Sequence, residues 1–131
     1  VRESGKIRLF QSNSLEYADG CQMRDFIYIK DVCQVMWQML QNPTVSGIYN
    51  LGTGKARTWN DLASAVFGAM KKDSIIEYIE MPDSISSQYQ NFTEADLTNL
   101  QSSGLDITFR TLEESIEDYV VNYLMQNESY W

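Results

Sequence analysis

No histidine occurs among the 131 residues, which removes the commonest general base and the commonest metal ligand together. A Ser/His/Asp arrangement is impossible for the same reason. The two cysteines, Cys21 and Cys33, are too few for a disulfide framework and are not spaced as metal ligands. No metal is therefore expected, and two free thiols suit a reducing cytoplasm. Basic side chains are also scarce, 10 against 18 acidic ones, for a net charge of -8. Nucleic acids and anionic membranes both demand clustered Lys and Arg, so neither is expected as a partner. A nucleotide is still admissible, because a single well-placed Arg can hold a phosphate. No apolar run approaches membrane-spanning length, and the N-terminus has no apolar signal core.

What is present is enough for one ordinary domain: 44% hydrophobic and 12% aromatic residues, the proportions of a chain with a real core. Val1 to Lys6 lacks an initiator Met and reads as the tail of a surface helix that begins earlier, so the sequence is read as an excerpt. Ile7 to Phe10 is a short strand and Gln11 to Gln22 a polar loop. Phe26 to Ile29 is aromatic and β-branched, and reads as a strand. Asp31 is positioned to cap a helix carrying Val32, Val35, Met36, Met39 and Leu40 on one face, ended by Asn42-Pro43.

Ile48 to Leu51 reads as a strand before Gly52-Thr53-Gly54. Thr58 with Asp61 resembles a capping box for a helix that buries Trp59, Leu62, Ala63, Val66, Phe67 and Met70. Ile75 to Ile79 is a strand, Pro82 to Asn91 a polar stretch, and a short helix is expected from Thr93 to the stop at Gly104. Thr111 with Glu114 opens a last helix with Leu112, Ile116, Tyr119, Val120, Tyr123 and Leu124 on one face. Gln126 to Trp131 is a tail expected to fray. The order β, β, α, β, α, β, α, α predicts an α/β fold of mixed α+β character, a small sheet with flanking helices.

Four segments could carry chemistry. Gly52-Thr53-Gly54 follows a strand and precedes a helix, but a dinucleotide fingerprint needs a third glycine where Arg57 stands. A tight turn is the simpler account. Arg24, at a strand mouth after a polar loop, can grip a phosphate in bidentate fashion, or pair with Asp25 or another nearby acid. Asp25 and Asp31 read as structural. Tyr89, among amides in Ser87 to Phe92, can stack on a base or bond to phosphate or hydroxyls, or simply be half-buried. Gln11, Ser12 and Asn13 can bind sugar hydroxyls, though they are also routine turn formers. The acid pairs Glu113-Glu114 and Glu117-Asp118 lie on a helix in capping and solvated roles. No Tyr is followed four residues later by Lys, so no catalytic pair of that kind is expected within this chain.

Three segments in this order resemble one family. Arg24 to Val32 (RDFIYIKDV) and Tyr49 to Gly54 (YNLGTG) are similar to segments of the extended short-chain dehydrogenases acting on nucleotide sugars. Tyr89 to Leu100 (YQNFTEADLTNL) resembles the narrower branch acting on ADP-heptose. The resemblance runs from Ile7 to Leu124. It implies an NADP-dependent isomerase of lipopolysaccharide core biosynthesis, cytoplasmic and homo-oligomeric as a full-length protein, whose substrate is ADP-heptose. On that reading the chain is the C-terminal substrate-binding part completing an N-terminal Rossmann domain. Cofactor glycines and the catalytic Tyr/Lys pair precede residue 1, and the fragment alone is inactive. By position Arg24 matches an arginine on the substrate phosphates, Tyr89 a substrate-binding tyrosine, and Phe10, Gln11, Ser12 and Asn13 a substrate loop, here longer than the family's common acid-and-glycine version. The alternatives are an epimerase or dehydratase for another nucleotide sugar, and a non-catalytic sugar-nucleotide-binding module.

Overall fold

Two small sheets and the helices between them organise the chain in the computed structural model, which describes residues 1–126. The tail expected to fray lies, beyond Gln126, outside those residues. Val1 to Gly5 forms one turn, closed by the Gly5 N–H on the Val1 carbonyl at 3.0 Å. β1 (Ile7–Phe10) pairs in parallel with β4 (Ile76–Ile79), with Phe10 opposite Ile79. The second sheet is β3-β2-β5: β2 (Met23–Arg24) lies antiparallel to β3 (Arg57–Thr58) and parallel to β5 (Phe92–Thr93). The mixed α/β class read from the sequence is the class observed.

The helices follow their caps. In α2 (Trp59–Met70) the Thr58 hydroxyl accepts from the Asp61 amide and the Asp61 carboxylate accepts from the Thr58 amide, a complete capping box. The expected face is turned inward, with Ala63 and Phe67 fully buried and Trp59, Leu62, Val66 and Met70 half-buried. α5 (Leu112–Tyr119) opens on the same device, Thr111 with Glu114, and packs on α2. Its continuation, Val120–Leu124, widens into a π turn. Of the face expected to be apolar and inward, Val120 is buried while Tyr119, Tyr123 and Leu124 are exposed. A second core forms where α1 (Ile29–Gln41) sets Val35 against Leu97 and Leu100, the latter from α4 (Thr98–Gln101).

Five expectations are corrected. Phe26 to Ile29 is not a strand: the ladder lies earlier, at Met23–Arg24, and Ile29 already begins α1. The apolar run is held by side chains instead, with Phe26 edge-on to Trp59 at 5.1 Å and the Tyr28 hydroxyl donating to Asp118 at 2.7 Å. Asp31 does not cap α1. It sits in the first turn, 2% exposed, and accepts from the Arg110 amide at 2.9 Å and from the Arg110 guanidinium. A buried carboxylate needs such a partner more than a helix end needs a cap. Ile48 to Leu51 pairs with no strand among the described residues, so its apolar pattern yields no ladder.

The polar stretch after Pro82 holds a short helix, α3 (Asp83–Ser86). The helix expected from Thr93 is confined to α4, because the preceding segment is pinned in extended form. Phe92 and Thr93 pair with β2, the Glu94 carboxylate takes the Ala56 amide at 2.8 Å, and the Ala95 amide goes to Asp25 at 3.1 Å. Gly104 does stop the segment, with φ +79.

The outer side of α1 is apolar and uncovered: Ile29, Met36, Trp37 and Leu40 are 62%, 58%, 61% and 75% exposed. They recur at helical spacing, a stripe rather than scattered residues. None of the helices among the described residues is long and apolar enough to cross a membrane.

Candidate functional site

Asp25 is the anchor of the site. Its carboxylate accepts four hydrogen bonds: from the Thr53 amide at 2.7 Å, the Thr53 hydroxyl at 2.6 Å, the Gly54 amide at 2.9 Å and the Ala95 amide at 3.1 Å. Burial pushes its pKa up, but the bonds from Thr53, Ala95 and Gly54 outweigh it and hold the group below its ordinary 3.8. The glycine turn thus spends its amides inward. Thr53 and Gly54 have no free N–H with which to cradle a pyrophosphate, and a Cβ at Gly52 would overlap the Asp25 carboxylate and the Ala95 side chain. This turn does not fit the pyrophosphate of a dinucleotide, and its two glycines serve close packing and a tight bend, Gly54 at φ +69.

With Asp25 engaged elsewhere, Arg24 is free of it. Its guanidinium lies over the Tyr89 ring, 5.0 Å from the centroid, and donates one N–H to the Met23 carbonyl at 2.7 Å. A cation held over a ring keeps its remaining N–H groups, beyond the one given to Met23, able to grip a phosphate. Both residues are half-buried. The two residues singled out in the sequence are therefore in contact, although 65 positions separate Arg24 from Tyr89. What brings them together is the parallel pairing of β2 with β5, in which Arg24 stands opposite Thr93.

The loop residues are hydrogen-bonded to segments that neighbour this pair along the chain. Phe10 ends β1. The Gln11 amide continues the ladder to the Ile79 carbonyl at 2.8 Å, and the Gln11 carbonyl accepts from the Gln22 side chain at 3.2 Å. The Ser12 amide donates to Asp19 at 2.8 Å, closing the loop across its base. Asn13 reaches the Ser86 carbonyl of α3 at 2.8 Å, three residues before Tyr89. Loop, α3, Tyr89 and Arg24 are thus linked in sequence.

Arg57 and Lys30 are committed to structure. Arg57 pairs with Glu113 at 2.7 Å and Asp61 at 3.1 Å, contacts that raise its pKa further and occupy its fork. Lys30 pairs with Asp118 at 2.6 Å, and Asp118 also takes the Tyr28 hydroxyl and the Asn122 amide, which hold it well below the carboxylate range. Burial, and then the Asp118 contact, raise the Tyr28 phenol. A cavity of about 430 Å³ lined by Phe26, Tyr28, Leu62, Leu112 and Ile116 is apolar and does not include Arg24 or Tyr89. The residues not foreseen are Gln22, 1% exposed beside Gln11, and Asn60 against the loop. A fully polar residue two positions before Arg24 was the available signal for Gln22.

The sequence profile of the GDP-mannose 4,6 dehydratase family matches residues 2–109. The chain belongs to that family. Among curated relatives, an ADP-L-glycero-D-manno-heptose-6-epimerase of Nitratidesulfovibrio vulgaris (strain DP4) is 52% identical over 124 residues, covering 95% of this chain and 38% of the relative. One of the same name from Fusobacterium nucleatum is 43% identical over 135 residues, covering 98% and 41%. The crystal structure of the Helicobacter pylori ADP-L-glycero-D-manno-heptose-6-epimerase superposes with TM-score 0.69 at 25% identity, over 92% of this chain and 34% of that one. A Bacillus anthracis dTDP-glucose 4,6-dehydratase in complex with NAD gives TM-score 0.70 at 20% identity, over 96% and 36%. This member of the GDP-mannose 4,6 dehydratase family thus spans well under half the length of the relatives it matches.

Proposed function

We propose that this chain is the substrate-holding, C-terminal part of an NADP-dependent epimerase that converts ADP-D-glycero-D-manno-heptose to its L-glycero epimer for the lipopolysaccharide core. The observation that carries the reading is the Arg24 guanidinium over the Tyr89 ring, with Asn13 of the Phe10–Asn13 loop bonded to Ser86, three residues before Tyr89. One cation with in-plane donors, one aromatic face and a rim of amides and hydroxyls is the complement of a nucleoside diphosphate joined to a sugar. Arg24 grips the phosphates, Tyr89 fixes the guanidinium and offers its hydroxyl, and Gln11, Ser12 and Asn13 face the hydroxyl-rich end.

Transient oxidation and re-reduction at the inverted carbon is the chemistry NADP supplies when bound, outside this chain. The part described here binds and orients, and is by itself inactive. The uncovered α1 stripe and the unpaired Ile48 to Leu51 segment support a Rossmann portion seated there, since the relatives are more than twice as long. A homo-oligomeric cytoplasmic enzyme completes the reading, and the free thiols of Cys21 and Cys33 suit that compartment.

The test uses the polypeptide at its relatives' length. Arg24→Ala removes a charge-assisted phosphate contact of about 1.5–3 kcal/mol, so KM for ADP-heptose should rise roughly 10- to 100-fold. An unchanged KM would remove Arg24 from the site.

A further inference from the structure

The loop that carries Phe10 to Asn13 is held from outside by one side chain, Asn60, in the first turn of α2. Its backbone N–H, one of the amides a helix start leaves unpaired, donates to the Gly20 carbonyl at 3.0 Å. Its side-chain amide donates to the Asp19 carbonyl at 3.1 Å and contacts the Cys21 sulfur at 3.6 Å. Its amide oxygen accepts from the Tyr78 hydroxyl of β4 at 3.0 Å, which fixes the orientation of the amide. The backbone N–H and both side-chain polar atoms of Asn60 are therefore spent on the loop or on the residue that aims it.

Gly20 is shaped to this contact. It is buried at φ +70, and a Cβ there would overlap the Asn60 amide. The hold is passed on to the binding residues, because the same Asp19 whose carbonyl Asn60 grips uses its carboxylate to fix the Ser12 amide.

We propose that Asn60 is a positioning residue for nucleotide-sugar binding: oriented by Tyr78, it sets the loop that presents Gln11, Ser12 and Asn13, and so sets ground-state affinity without touching the reacting atoms. The proposal rests on the site reading given above. Asn60→Asp tests it. Aspartate is favoured in a helix's first turn and still accepts from Tyr78, so the fold is retained, but its second oxygen faces the Asp19 carbonyl with no proton to give.

In the polypeptide at its relatives' length, Asn60→Asp should raise Kd for ADP and KM for ADP-heptose about tenfold, the equivalent of one lost hydrogen bond, with kcat within about twofold and the far-ultraviolet circular dichroism spectrum of the folded protein retained. Tyr78→Phe, which only frees the amide to rotate, should give a smaller rise of about threefold in the same constants. Wild-type ADP affinity in both variants would overturn the proposal, as would a fall in kcat at constant KM. Arg24→Ala is run beside them. If it alone weakens ADP, this inference fails and the site reading stands; if it too binds as wild type, the site reading fails and takes this inference with it.

Discussion

Replacing Asp25 by Asn isolates the anchor of the site, because shape is kept and only one acceptor and the charge are lost. In one orientation the new NH₂ faces the Gly54 and Ala95 amides, leaving two donors opposed. In the other it faces Thr53, whose hydroxyl can turn to accept while its amide loses its partner. The second is cheaper: one orphaned amide and the loss of charge assistance to the rest. An orphaned buried amide costs about 1–3 kcal/mol, and because Asp25 is only half-buried the expected loss is about 2 kcal/mol.

The pH dependence carries a sign. The folded pKa lies below the ordinary 3.8, so the carboxylate's contribution is fully present above that value and is lost as pH falls through the depressed folded value. Urea unfolding at neutral pH should therefore show the variant less stable, and the gap should close in acid. Equal midpoints at neutral pH, or a gap that persists unchanged into acid, would refute the role given to Asp25.

Two further substitutions test the surroundings. Gly52→Ala drives a Cβ into the Asp25 carboxylate and Ala95, and should cost about 1–3 kcal/mol in urea unfolding, combining less than additively with Asp25→Asn because both act on one staple. Thr58→Ala removes the acceptor for the Asp61 amide at 3.0 Å and should lower stability by about 1 kcal/mol, while Thr58→Ser keeps most of it.

Local rules carried much of the reading. β1, both capping boxes and the stop of α1 at Asn42 follow from residues within a few positions of one another, and Ile7 to Phe10 appears as read. Failures arose where distant partners decide. Asp31 carries the mark of a cap, but Arg110 lies 79 positions away and claims it. Thr93 to Ala95 has helical composition, yet β2 and Asp25 draw it straight. Phe26 to Ile29 looks like a strand because aromatic and β-branched residues serve packing as readily as pairing. In the site, Arg24 and Tyr89 were visible as residue types, but their contact depends on β2 meeting β5. Asn60 gave no signal, since an Asn near a helix start is ordinary until its loop partners are seen.

The central claim is tested most directly by following ADP-D-glycero-D-manno-heptose by NMR with the polypeptide at its relatives' length and NADP. Appearance of the L-glycero epimer, lost on Arg24→Ala at low substrate and recovered toward saturation, is the predicted result. Turnover of another nucleotide sugar with ADP-heptose untouched would contradict it, and binding without any conversion would point instead to a non-catalytic sugar-nucleotide module.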